Sequence, residues 1–182
     1  DAPEQTVNLT GITAGGGENQ PLKVTASSTS GWSLAESTFA EVGDRPFFTE
    51  AGDFDGDGNM DTATVNYAED TVTIMLGNGT GALALAGTFP TGKNPTHLAI
   101  GDFNTDGKQD LAIVNRNETS NANADTISIL LGDGTGAFNQ GATLPVGAGP
   151  EYVVASDFNK DGKLDLAVAN GGANTVSLLL GD

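Results

Sequence analysis

The acidic stretch "GDFDGDGNMD" at residues 52–61 returns as "GDFNTDGKQD" at 101–110 and as "SDFNKDGKLD" at 156–165. This threefold return constrains the chain more than any other feature. The leading aspartates stand at 53, 102 and 157, spacings of 49 and 55 residues, and the longer interval contains the polar insertion "NETSNANAD" at 117–125. Seven residues before each aspartate is a proline (Pro46, Pro95, Pro150), and three residues before each proline is a glycine (Gly43, Gly92, Gly147). Self-similarity at such a period means a repeat architecture, in which one supersecondary unit is used several times.

Each unit reads as four short strands. One enters the acidic loop ("THLAIGDF", "YVVASDF") and one leaves it ("DTATVNY", "DLAIVN", "DLAVAN"). A third is strongly apolar ("TVTIML", "TISILL", "TVSLLL"), and a fourth follows a glycine turn ("GNGTGALALAGTF", "GDGTGAFNQGATL"). Short β-branched runs punctuated by glycine exclude long helices, and the 26 glycines of the 182-residue chain suit tight turns. The fold class is therefore all-β, with four-stranded blades of the β-propeller type. Three calcium-loop repeats are expected, over about 33–82, 83–138 and 139–182. The segment "SLAESTFAEVG" at 33–43 falls where the outer strand of a blade would lie, which brings the strand count to twelve. Propellers close with about four to eight blades, so three blades imply either a longer array or completion in trans by another copy. Residues 1–30 form an extension with two candidate strands, "TVNLTGI" and "PLKVTASS", readable as a donor strand or as part of an immunoglobulin-like segment.

Clustered carboxylates repel, so three such loops need a common cause. Calcium takes six to eight oxygen ligands, and alternate side chains of a tight loop supply them. Counting from the first aspartate, positions 1, 3, 5 and 9 are Asp53, Asp55, Asp57 and Asp61; then Asp102, Asn104, Asp106 and Asp110; then Asp157, Asn159, Asp161 and Asp165. Position 6 is always glycine (Gly58, Gly107, Gly162). Position 7 (Asn59, Lys108, Lys163) varies, as expected where only a backbone carbonyl is needed. An EF-hand would require glutamate at position 12, where Thr64, Ile113 and Val168 stand. Zinc and copper would want histidine or cysteine; there is one histidine and no cysteine. About three calcium ions, one per repeat, are the expected cofactors.

The pattern "DFxxDGxxDLAVAN…VSLLLG" resembles the FG-GAP and VCBS repeats of integrin α-chain propellers and bacterial surface proteins, over roughly residues 36–182. The resemblance implies a β-propeller with calcium in its hairpin loops, the loop side chains named above as ligands, and a role in adhesion or extracellular scaffolding.

A net charge of −17 disfavours nucleic acid and anionic membranes as partners, and no run of 18 apolar residues is present to span a bilayer. Calcium sites of extracellular modules fill at about 10⁻⁴–10⁻³ M, which places the protein outside the cell or on its surface. His97 occupies the position of Phe48 and Tyr152 and reads as packing, so no catalytic residue is assigned and the chain is expected not to be an enzyme. Three N-x-[ST] sequons occur, at Asn8, Asn78 and Asn117, with Asn117 expected to be the most exposed. The leading expectation is a structural or adhesive subunit of a surface assembly or filament, self-associating through terminal strands or blade faces, with a glycan or surface protein as a further ligand. A second reading is a carbohydrate-binding propeller module with Trp32 or Tyr152 as stacking platforms. A propeller hydrolase or lyase ranks third, because acid–base candidates are few.

Overall fold

The computed structural model describes residues 39–118 and 125–181, and within them every regular element is a β-strand. The first sheet orders β1 (Pro46–Gly52), β2 (Asp61–Asn66), β3 (Thr71–Gly77) and β4 (Leu83–Pro90) consecutively. The second repeats this with β5 (Pro95–Gly101), β6 (Asp110–Asn115), β7 (Thr126–Gly132) and β8 (Phe138–Pro145). The third holds β9 (Pro150–Ser156), β10 (Asp165–Asn170) and β11 (Thr175–Leu179). All pairings are antiparallel, so each sheet is a meander, and the inner strands β1, β5 and β9 lie side by side. These are propeller-like blades.

Strict alternation across the blades builds the core. Leu111 and Ile113 of β6 face the first blade, where they meet Ala63, Val65, Val72 and Ile74. Their neighbours Ala112 and Val114 point the other way, into a second cluster with Val153, Leu166 and Val168 of the third blade. A blade covered on both faces needs apolar residues at successive positions, which explains the unbroken run "LAIV" at 111–114 in β6. The outer strands β4 and β8 are mostly exposed; β8 is correspondingly polar or small, whereas β4 leaves Leu83 and Leu85 open.

The recurring glycine three residues before each proline has a steric cause. A Cβ at Gly43, Gly92 or Gly147 would lie within 3.0 Å of the side chain of Asn66, Asn115 or Asn170, the asparagine that ends β2, β6 or β10. Each asparagine also donates to the two hydroxyls of the next strand: Asn66 to Thr71 and Thr73, Asn115 to Thr126 and Ser128, Asn170 to Thr175 and Ser177. In the second blade the Gly92 N–H donates to Asn115 Oδ1 at 3.0 Å. The asparagine thus seats the incoming loop on its own blade.

The expected outer strand at 33–43 lies partly outside the described residues. Residues 39–43 carry no strand, and 33–38 lie outside the described residues. Eleven strands are therefore found among the described residues where twelve were expected. The extension at 1–30, Trp32 and Asn8 also lie outside the described residues. Asn117 is half-buried while Asn78 is exposed, the reverse of expectation. Asn78 Oδ1 accepts from the Thr80 N–H and hydroxyl within its turn.

Candidate metal centre

The three acidic loops connect β1 to β2, β5 to β6 and β9 to β10, and they share one internal design. The carboxylate at position 1 accepts the N–H of the glycine at position 6 in each: Gly58 to Asp53 (3.1 Å), Gly107 to Asp102 (2.8 Å) and Gly162 to Asp157 (2.9 Å). That glycine has φ near +84 to +90° in all three, a left-handed backbone that residues with a Cβ adopt only at a cost. The side chains at positions 3 and 5 accept N–H groups two residues on. Asp55 takes Asp57 N–H and Asp57 takes Asn59 N–H; Asn104 and Asp106, and Asn159 and Asp161, do likewise. These short turns fold the loop back on itself and gather its side-chain oxygens.

Position 9 is different in kind. Asp61, Asp110 and Asp165 are fully buried, and both oxygens of each are engaged. Asp61 accepts the Phe54 N–H at 2.7 Å and the Gly77 N–H at 2.8 Å. Asp110 accepts Phe103 and Gly132, and Asp165 accepts Phe158 and Gly181. The carboxylate therefore ties its loop to the end of the third strand. The glycine there is obligatory, because a Cβ at Gly77, Gly132 or Gly181 would collide with the carbonyl oxygen of Met60, Gln109 or Leu164. That role explains why β3, β7 and the β11 run end in "LG". The reason Asp recurs at position 9 is thus partly architectural, a role the spacing argument alone missed. Its signal was the invariant glycine closing the third strand.

The loops differ in how the acids converge. In the first, Asp53, Asp55 and Asp61 place oxygens within 4.8 Å of one another. Asp57 turns instead to Asn59, whose backbone and side-chain nitrogens both donate to it, and these bonds lower its pKa. In the second and third loops, asparagine holds position 3, and its Nδ2 donates to Asp106 (3.1 Å) or Asp161 (2.8 Å). Lys108 Nζ lies 3.7 Å from Asp106. The pKa values of Asp106 and Asp161 are lowered mainly by hydrogen bonds within the loop. Burial pushes the Asp110 carboxyl up, with Asp106 and Asp102 adding repulsion. The side chains of Lys108 and Lys163 bring no oxygen, which leaves only the carbonyl at position 7.

The donor set is oxygen throughout, from carboxylates and amide carbonyls, and each loop includes one buried carboxylate. Such a set fits a hard divalent cation of the calcium type and not a soft metal. His97, the one histidine, sits elsewhere, packed between the tilted rings of Phe48 (centroids 3.9 Å apart) and Tyr152 (4.8 Å).

Beyond the loops, Asp70 and Asp125 precede β3 and β7 and hold the loop that leads to the following blade. Asp70 accepts Lys93 Nζ and the Asn94 N–H, and Asp125 accepts the N–H groups of Asn117 and Gly149. The sequence marks this position as "DT" in "EDTVTIML" and "ADTISILL".

The sequence model of one family, described as an FG-GAP-like repeat, matches residues 53–113 and again 102–168. Each match begins on the first aspartate of an acidic loop and runs into the blade that follows. No curated protein matches the chain.

Proposed function

Because this chain belongs to the FG-GAP-like repeat family, whose repeats typically occur in extracellular or surface proteins, we propose that it is a calcium-braced structural or adhesive module acting outside the cell. The observation that carries this reading is the threefold loop, with oxygen donors at alternate positions and a buried carboxylate tying each loop to its blade. Asp53, Asp55, Asp57 and Asp61 would hold the first ion; Asp102, Asn104, Asp106 and Asp110 the second; Asp157, Asn159, Asp161 and Asp165 the third. Asn59, Lys108 and Lys163 would contribute through the backbone. Calcium supplies positive charge, six units against the ten loop carboxylates. The chain's own part is to hold those carboxylates together, through the glycine turn and the position-9 bridges, so that each hairpin stays in one shape.

As a module the chain acts through its surfaces. The outward face of the third blade, with Val154, Val176 and Leu178 exposed, is the surface through which it joins a neighbour, and an assembly or filament is the role it serves. This reading assigns no catalytic group.

The test is a calcium titration of chelator-stripped protein, followed by calorimetry and native mass spectrometry. Three ions per chain are expected. Each site held at a hundredfold excess over its Kd adds about 2.7 kcal/mol, or roughly 5–10 °C in Tm for a chain of this size. A melt indifferent to chelator and to calcium would overturn the proposal.

A further inference from the structure

The end of the blades opposite the acidic loops carries a second repeated device. Each inner strand has a register shift just after its proline. Pro46 pairs with Asn66 and Phe48 with Val65, which leaves Phe47 bulged; Thr96 and Glu151 are bulged in the same way in β5 and β9. A β-bulge re-aims its side chain and is a feature that binding sites use. Here the three bulges surround one pocket. Phe47, Thr96 and Glu151 line it together with the residues that follow them, Phe48, His97 and Tyr152, and Arg116 closes it from the end of β6. The scaffold is repeated, yet the chemistry differs at every bulge: one aromatic, one hydroxyl, one carboxylate.

The pocket measures about 220 Å³, below the ~300–1,000 Å³ of sites for drug-sized ligands, so it suits a single ring. Phe47 and Tyr152 stand open at its rim, 57% and 60% exposed, and offer flat faces to the C–H side of a ring. Arg116 and Glu151 lie 3.8 Å apart, a loose pair with donors and an acceptor to spare for adjacent hydroxyls. Thr96 is only 5% exposed, and its Oγ1, like His97 Nδ1, has no hydrogen-bond partner among the described residues. Burial lowers the His97 pKa, so the imidazole is neutral at physiological pH. One arginine against one glutamate leaves no net charge in the pocket, and the −17 of the chain repels anions.

We propose that this pocket binds one neutral pyranose residue of a glycan, stacked on Tyr152 or Phe47 and hydrogen-bonded by Arg116 and Glu151. The assignment goes beyond the cation reading and is independent of it, since no pocket residue belongs to an acidic loop. It names what an adhesive module of this kind would adhere to.

Saturation-transfer NMR of the full chain in calcium buffer tests it, with a panel of methyl glycosides of neutral hexoses and N-acetylhexosamines and one methyl uronate. At least one neutral pyranoside should receive transfer. Tyr152→Ala and, separately, Arg116→Ala should each weaken it about tenfold or more. Both variants should keep the parent's calcium-dependent Tm, because both side chains are exposed, and that readout separates failure here from failure of the cation reading. Leu85→Ala, on the outer strand of the first blade, should bind as the parent does. Absence of transfer from every neutral pyranoside, preference for the uronate, or binding that survives both pocket substitutions would overturn the proposal.

Discussion

The first and third blades carry the same loop, yet the aromatic at its second position meets opposite fates. Phe54 is 2% exposed, packed edge-on against Phe138 of the second blade, and its carbonyl accepts the Gly136 N–H. Phe158 is 48% exposed. Their outward faces contrast as well. The first blade has a threonine row in which Thr64 and Thr73 are buried, with Thr49 bonded to Thr64 (3.0 Å) and Thr73 to Thr88 (3.5 Å), whereas the third leaves Tyr152, Val154, Val176 and Leu178 exposed. The difference teaches that a blade makes its own loop but depends on the next blade to bury that loop's aromatic. In a repeat protein, stability is close to a sum of unit terms and neighbour terms, and here the two are separable by residue.

The widest gap should come from the aromatic pair. Phe54→Ala is expected to cost about 3–5 kcal/mol, while Phe158→Ala costs less than about 1 kcal/mol; urea denaturation measures both. Equal losses would break the contrast. The strand-end glycines should show the opposite behaviour. Gly77→Ala and Gly181→Ala each force a Cβ onto a carbonyl oxygen of their own loop and should cost a similar ~1–3 kcal/mol. A large difference between them would show that the loop is not a local unit. On the outward face, Leu178→Thr should leave stability within about 0.5 kcal/mol and lower self-association in light scattering; unchanged association would remove that face as the joining surface.

The smallest effect concerns His97. Its pKa is lowered by burial, so the unfolded chain binds the extra proton more readily than the folded one. Stability tied to the neutral ring is present above the ordinary value of 6.5 and is lost as pH falls below it. His97→Phe, which installs the residue found at position 48, should flatten the stability profile between neutral and mildly acid pH. Identical profiles for the two proteins would mean the ring titrates without consequence.

The acidic loops were legible because their information is local: spacing, glycine at position 6, and an oxygen at every alternate position. The four-strand unit was legible for the same reason, since turns and apolar runs declare themselves in order. What was not legible depends on partners distant in the chain. Asn66, Asn115 and Asn170 look like ordinary polar residues at strand ends, and their role as seats for the Gly-x-x-Pro loop appears only when the loop arrives. Residues 39–43 carry the composition of a strand, but composition supplies no neighbour to pair with. The bulges after Pro46, Pro95 and Pro150 are marked only by the proline before them, because Phe47, Thr96 and Glu151 share no property except position.

By itself the sequence determined the repeat, the all-β class and the oxygen-rich loops, because short-range sterics and charge decide those within a dozen residues. Tertiary structure alone decided which aromatic is buried, which face stays apolar and open, and that three unlike side chains converge on one pocket. Those outcomes follow from packing between blades about fifty residues apart in the chain, and no local pattern encodes the neighbour that each surface will meet.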